Sequence, residues 1–245
     1  MSGWLRIVGL GPGPAEWLTP EATDILHAAT DIYGYTPYIN AVTKTVTATR
    51  HASDNGEELE RAAEALRQAA DGARVVVVSG GDAGIFGMAA AVFEALEKGD
   101  VSWQEIDIAV VPGMTAFIAA AARIGAPFGH DFCVISLSDY LKPWPIIEKR
   151  LLAASEGDFV LAIYNPASKT RREQLKSALE ILQKNRAPDT IAILAKSIGR
   201  AEENIITTTL AALNPDDVDM RTLVIIGSSH TRRIGRFVYT PRSYE

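Results

Sequence analysis

Between Trp4 and Val111, short β-branched runs alternate with stretches long enough, and rich enough in Ala, Leu and Glu, to be helices. The runs are LRIVGL, DIYGY, RVVVVSG and DIAVV, and the helical stretches are TPEATDILHAA, EELERAAEALRQAA and AAAVFEALEK. Strands that are apolar throughout must be covered on both faces, and helix-length crossovers provide the cover. The pattern therefore predicts an α/β unit with a largely parallel sheet. Asp71-Gly72 marks the end of the second helix and Lys98-Gly99-Asp100 the end of the third.

Beyond Pro112-Gly113 the pattern changes. Strand runs DFCVIS, DFVLAIYN, TIAILAK, NIITTTL and TLVIIG follow, with fewer helical stretches between the last three. Neighbouring strands without helical crossovers pair antiparallel, so a second, α+β unit with a mixed sheet is expected. The boundary falls near Thr115, giving domains 1–115 and 116–245. No low-complexity linker, charge block or repeat separates them, so the two are expected to pack closely around a shared cleft.

Composition narrows the function classes. The formal net charge of −6 disfavours sequence-independent nucleic-acid binding, which relies on clustered Lys and Arg. A single cysteine, Cys133, rules out an intramolecular disulfide framework or a cysteine-rich metal site, and no metal site is expected. Its apolar setting suits a small core residue better than a reactive thiol. The N-terminal run ends early in a glycine turn, and no stretch approaches the roughly 20 apolar residues that cross a bilayer. A soluble, cytoplasmic protein is expected.

Three glycine turns sit at the ends of strand runs. The first, Gly9-Leu10-Gly11-Pro12-Gly13-Pro14, resembles a dinucleotide turn only superficially. The GxGxxG pattern needs glycine at Pro14, and neither Pro12 nor Pro14 has an N–H to offer a pyrophosphate. A P-loop is excluded because no Gly-Lys-Ser/Thr follows. What remains is either a ligand-facing turn at a carboxyl edge or a plain strand-to-helix turn. The second turn, Ser79-Gly80-Gly81-Asp82-Ala83-Gly84-Ile85-Phe86-Gly87, combines close backbone approach with one carboxylate that can accept hydrogen bonds from hydroxyls or attract a cation. The third, Pro112-Gly113-Met114-Thr115-Ala116, opens an alanine-rich helix, where Thr115 caps the helix, meets a polar ligand, or does both.

Taken together and in this order, the three turns resemble those of the methyltransferases that modify uroporphyrinogen and the cobalamin precursors. The resemblance covers essentially the whole chain. It implies the two-domain class III fold, a parallel-sheet N-domain and a mixed-sheet α+β C-domain, with S-adenosyl-L-methionine bound in the interdomain cleft. Leu10, Gly81, Asp82, Ile85, Thr115 and Ala116 match the family's cofactor positions in the first domain; Asn165, Lys196 and Ser197 match more loosely in the second. Gly80 departs from the pattern, since many members carry serine there. SGGDAGIFGMA, PGMTAFIAAAARIGAP, HDFCVISLSDYLKPW and YNPASKTR are similar to the branch acting on precorrin-3B. That branch methylates carbon 17 and contracts the ring, extruding carbon 20 as an acetyl group, to give precorrin-4. A homodimer is implied as well. The nearest alternative is another methyltransferase of the same fold, such as one acting on diphthamide intermediates; a nucleotide-binding oxidoreductase is disfavoured by Pro12 and Pro14.

Ring contraction needs proton movement, for which His51 in TATRHASDN is the acid/base candidate, the alternative being an ordinary loop histidine. His130, at the start of a strand run, reads as structural. A polycarboxylate substrate calls for local cations on an acidic protein. Arg50, Arg171, Arg172 and Arg232 are the leading candidates, with Lys142, Lys169 and Arg233 beside them, because a guanidinium fork matches a carboxylate. The run Lys169-Thr170-Arg171-Arg172 reads equally as the start of a solvated helix. By resemblance, Ser138, Asp139 and Trp144 line the substrate side.

Overall fold

The computed structural model describes residues 3–168 and 171–243, and the chain divides into two compact units, Met1–Thr115 and Ala116–Glu245. In the first unit the order is β1 (Trp4–Gly9), α1 (Pro20–Ala28), β2 (Asp31–Tyr35), α2 (Thr36–Ala41), β3 (Thr49–Ser53), α3 (Glu58–Ala70), β4 (Arg74–Ser79), α4 (Met88–Lys98) and β5 (Asp107–Val111). The five strands are parallel, in the order β3-β2-β4-β1-β5.

The valine run of β4 shows why this sheet needs helices on both faces. Val75 and Val77 pack with Leu5 and Ile7 against Ala62, Leu66 and Val92 of α3 and α4. Val76 and Val78 face the other way and join Val8, Ala22, Leu26 and Ile39, beneath α1 and α2. Each such valine, leucine or isoleucine side chain, withdrawn from water, contributes roughly 1.5–3 kcal/mol. The start of α1 is fixed locally: the Thr19 hydroxyl accepts the Ala22 N–H at 3.1 Å, and Pro20 occupies the first turn.

Two elements of this unit depart from the sequence expectation. TATRHASDN contains β3, so His51 lies in a strand rather than a loop, and Ser79 ends the fourth strand rather than the third. The cause is position: β3 is the edge strand, paired only with β2, and none of its five residues is fully buried, so it carries no apolar run. The short helix α2 is likewise absent from the sequence reading, because six residues are too few to show a helical period.

The second unit runs α5 (Ala116–Ile124), β6 (Gly125–Ala126), β7 (Phe132–Ser136), α6 (Trp144–Glu156), β8 (Val160–Tyr164), α7 (Glu173–Leu182), β9 (Ile191–Lys196), β10 (Asn204–Thr209), β11 (Thr222–Ile226), β12 (Arg232–Ile234) and β13 (Phe237–Tyr239). Its main sheet has the order β10-β9-β11-β8-β7. Only β7 and β8 pair in parallel, joined through α6, while β9, β10 and β11 pair antiparallel, as expected for strands lacking helical crossovers. Leu161, Ile163, Leu194, Val224 and Ile226 form the sheet side of its core, packed against Ile147, Leu151, Leu175 and Leu182 of α6 and α7. A small sheet of β12, β13 and β6 was not foreseen, because its strands are two or three residues long.

Candidate functional site

In an open parallel sheet, ligands bind beyond the carboxyl ends of the strands. Here β1, β4 and β5 end side by side, and their turns interlock. Leu10 N–H donates to Ser79 O at 2.9 Å, and Gly11 and Gly81 exchange two backbone hydrogen bonds of 3.0 Å. Both glycines lie in the left-handed region, at φ +74° and +68°, where a side chain would be strained. Gly113 owes its identity to crowding: a Cβ there would lie 2.4 Å from Gly81 O and 2.7 Å from Gly9 C.

Asp82 ties this arrangement together. One carboxylate oxygen accepts Gly84 N–H at 2.8 Å within its own turn, and the other accepts Gly113 N–H at 2.9 Å from the turn after β5. The residue singled out as a ligand contact is therefore also an internal brace. Of the other expected cofactor positions, Leu10 and Ile85 are half-buried in these turns, and buried Thr115 lies beside Gly81, its Cα 3.8 Å from where a Gly81 Cβ would stand. Ala116 begins α5. Gly80, where serine was expected, is accounted for by Tyr38, whose ring occupies the space a side chain would need.

In the second unit, Ser138, Asp139, Asn165 and Arg171 come together where β7 and β8 end. Ser136 Oγ accepts from Asn165 Nδ2 at 2.9 Å and from Ser138 N–H at 3.2 Å. Arg171 donates to Leu137 O at 3.1 Å and approaches Asp139 at 3.8 Å, while Asp139 accepts from Gln174 Nε2 at 2.9 Å. Arg171 thus spends its guanidinium on holding loops. Tyr164, at the end of β8, accepts Phe117 N–H at 3.0 Å in the first turn of α5, a capping role that nothing in the sequence signals.

Lys196 and Ser197 form a second cluster. Lys196 Nζ meets Asp219 Oδ2 at 2.8 Å. Burial raises the Asp219 carboxyl, but hydrogen bonds from Lys196, Arg221 N–H and Thr222, with the Lys196 charge, outweigh it and leave the pKa below the ordinary aspartate range. Ser197 sits at φ +52° and is 4% exposed, and its Oγ has no hydrogen-bond partner among the described residues. A buried hydroxyl without a partner is costly unless a ligand or water completes it.

Other expected site residues lie elsewhere. The Nε2 of His51 is 2.8 Å from Asp31 Oδ1, and its ring stacks on Tyr33 at 4.2 Å. Burial, and then the Asp31 charge, push the Tyr33 phenol up. Asp31 is the first residue of β2, so this imidazole leans toward the amino ends of the strands, away from the turns. Arg50 donates to Ile39 O at 3.1 Å and Thr43 O at 2.8 Å, fastening the end of α2. Arg172 is exposed immediately before α7, and Arg232 is exposed on β12. Burial, and then Arg150, lower the Lys142 pKa, and Trp144 packs on the core of the second unit. Lys169 lies outside the described residues. Among the described residues, no cluster of three or more His, Cys, Asp or Glu side chains is arranged to hold a metal, and no helix is long and apolar enough to cross a membrane.

Comparison with known proteins bears on what these turns serve. Residues 5–214 match the sequence profile of the Tetrapyrrole (Corrin/Porphyrin) Methylases. The chain is 48% identical over 249 residues to a precorrin-3B C(17)-methyltransferase from Sinorhizobium sp, covering 100% of this chain and 98% of that one. It superposes on the crystal structure of the methyltransferase CobJ with a TM-score of 0.95 and 49% identity, covering 98% of this chain and 100% of that one. A uroporphyrin-III C-methyltransferase from Thermus thermophilus, solved with S-adenosylhomocysteine, shares the fold at a TM-score of 0.68 and 21% identity, with 92% of each chain covered. With its interlocked glycine turns and a match along most of its length, the chain belongs to the tetrapyrrole (corrin/porphyrin) methylases.

Proposed function

We infer that this chain transfers a methyl group from S-adenosyl-L-methionine to carbon 17 of precorrin-3B, with ring contraction to precorrin-4, in cobalamin biosynthesis. The observation that carries the reading is the end-to-end similarity to a protein of that name, in a chain whose carboxyl-edge turns are fully formed. The residues present fit the cofactor. Gly81 presents bare backbone, since only Thr115 Cα and Met114 O, at 3.8 and 3.9 Å, lie near where its Cβ would stand, and the buried Ser197 hydroxyl has no partner among the described residues.

When bound, S-adenosyl-L-methionine supplies a methyl group already activated on a sulfonium, so the protein's main task is alignment. Positioning of this kind lowers a barrier by roughly 7–11 kcal/mol at best. On this reading Leu10, Gly81, Ile85, Thr115 and Ala116 hold the cofactor largely through backbone, while Asp82 fixes two of the turns and offers its carboxylate. Asn165, Lys196 and Ser197 add polar contacts. Arg172 and Arg232, both exposed, are better placed to meet substrate carboxylates than Arg50 and Arg171, which are engaged by backbone carbonyls. Ser138 and Asp139 remain on the substrate side. Acid/base work by His51 would fall to Nδ1, since Nε2 is held by Asp31. Assembly as a homodimer and a cytoplasmic location belong to the same reading.

The test is incubation with precorrin-3B and S-adenosyl-L-methionine carrying a 13C methyl group, followed by NMR of the product. Label at carbon 17 is expected. Label on any other carbon, from protein that binds S-adenosylhomocysteine normally, would refute the regiochemistry.

A further inference from the structure

The turn after β4 has two sides, and only one faces the cofactor positions. β4 lies between β1 and β2 in the sheet. Toward β1, Gly81 and Asp82 engage Gly11 and Gly113. Toward β2, Gly80 faces α2: a Cβ on Gly80 would lie 2.5 Å from both Cε1 and Cζ of Tyr38 and 2.8 Å from its hydroxyl. Unlike Gly11 and Gly81, Gly80 is not in the left-handed region, so its backbone conformation does not demand glycine. The space taken by the tyrosine does.

Tyr38 is also held in place. It stands on α2, which starts directly at the carboxyl end of β2, and its ring meets Tyr35 edge to face at 5.5 Å and 85°. The buried Ile39 anchors the helix from below, and Arg50 holds the Ile39 carbonyl within it and the Thr43 carbonyl just beyond its end. Both tyrosines are half-exposed, so a pre-positioned aromatic surface lies at the carboxyl edge, on the flank opposite Gly11 and Gly113. Aromatic faces on rigid elements suit a large flat ring, because they offer contact area with few torsions left to freeze.

We propose that Tyr38, backed by Tyr35 and admitted by Gly80, is a substrate-specificity residue that forms one wall of the seat for the tetrapyrrole macrocycle. This rests on the tetrapyrrole reading above and adds to it a residue and a flank of the sheet. Substrate is thereby separated from cofactor: the macrocycle packs on the β2 side of the β4 turn, and the cofactor on the β1 side.

The test measures tetrapyrrole and cofactor binding separately in full-length variants. Tyr38→Ala is expected to raise the KM for precorrin-3B roughly tenfold while the S-adenosylhomocysteine affinity, by calorimetry, stays within about twofold. Tyr38→Phe, which keeps the ring, should restore KM to within about threefold of the parent. Gly80→Ala displaces only the end of a tyrosine side chain, so the fold survives, and it should reproduce the Tyr38→Ala loss. Combining the two should add nothing further, since both remove the same wall. An unchanged KM in Tyr38→Ala, or cofactor affinity falling by the same factor as substrate affinity, overturns the proposal. Failure of the parent protein to bind S-adenosylhomocysteine, or to methylate precorrin-3B, would instead overturn the functional reading beneath it.

Discussion

Replacing Asp82 with alanine removes a side chain that links two of the three turns, and its effect can be worked from the geometry. The bond to Gly113 N–H is 2.9 Å long and partly buried; the bond to Gly84 N–H is 2.8 Å and exposed. A charge-assisted hydrogen bond contributes roughly 1.5–3 kcal/mol when sheltered and less when open to water. The total loss is therefore about 2–3 kcal/mol, most of it at Gly113. The fold should persist, because Gly11 and Gly81 still bridge the first two turns and the packing of β4 is untouched. The turn after β5 is what becomes free to move. A ligand that needs it in place must then re-order it, and each 1.4 kcal/mol so used is about a tenfold loss of affinity. Calorimetry with S-adenosylhomocysteine should show Asp82→Ala weakened about 10- to 30-fold. Asp82→Asn, which keeps one acceptor oxygen, should fall between parent and alanine. Melting should drop by about 4–12 °C, at about 2–4 °C per kcal/mol for a chain of this size. A lowered Tm with unchanged affinity would reduce Asp82 to a structural brace. Unchanged values of both would mean that neither bond matters in solution.

Three further perturbations test neighbouring claims. Gly113→Ala places a Cβ 2.4 Å from a backbone oxygen that has no freedom to move aside, so it should destabilise by about 1–3 kcal/mol and abolish cofactor binding; a normal Tm with normal binding would refute the close packing of the turns. Arg171→Ala, at a side chain 18% exposed and bonded to Leu137 O, should lower Tm, whereas Arg172→Ala should leave Tm alone and weaken tetrapyrrole binding in a salt-dependent way; identical behaviour of the two would remove the distinction drawn between them. Asp219 has its folded pKa lowered, so its ionised form stabilises the fold above the ordinary aspartate range and the contribution is lost as pH falls through the lowered value. Asp219→Asn should be less stable than the parent at neutral pH, by no more than about 1 kcal/mol given its exposure, and urea melts should show the gap closing below about pH 4; a gap independent of pH would exclude the charge as its cause.

What was legible in the sequence follows from how local each demand is. The β4 valines and the helices around them announce a sheet covered on both faces, because burial of every residue in a strand leaves a continuous apolar run. The antiparallel strands after β8 could be read from missing crossovers. By contrast, β3 is illegible because an edge strand with no fully buried residue has no such run, so the sequence places the acid/base candidate His51 in no strand and leaves a loop histidine as its alternative. Buried cations escaped as well. Arg61 donates to Ser53 Oγ at 2.7 Å and Asp54 O at 2.7 Å, and Arg186 to Phe159 O at 2.6 Å, yet nothing in their local sequence separates them from solvated arginines.

The site divides along the same line. Glycines needed for positive φ, such as Gly11 and Gly81, mark turns that a single segment reveals. Gly80 and Gly113 look the same in sequence, but what each requires is a neighbour many residues away: the Tyr38 ring in one case, and the backbone of Gly9 and Gly81 in the other. Asp82 shows the limit of the motif most sharply. A lone carboxylate among glycines can serve a ligand or its own loops, and both uses select the same residue. What separates them is its second oxygen, which accepts a hydrogen bond from Gly113, 31 residues along the chain, leaving each oxygen one further lone pair with which to meet a bound group. The brace and the ligand contact are thus compatible, and a carboxylate already fixed by two backbone donors presents those lone pairs in one orientation, at less entropic cost than a free side chain would incur.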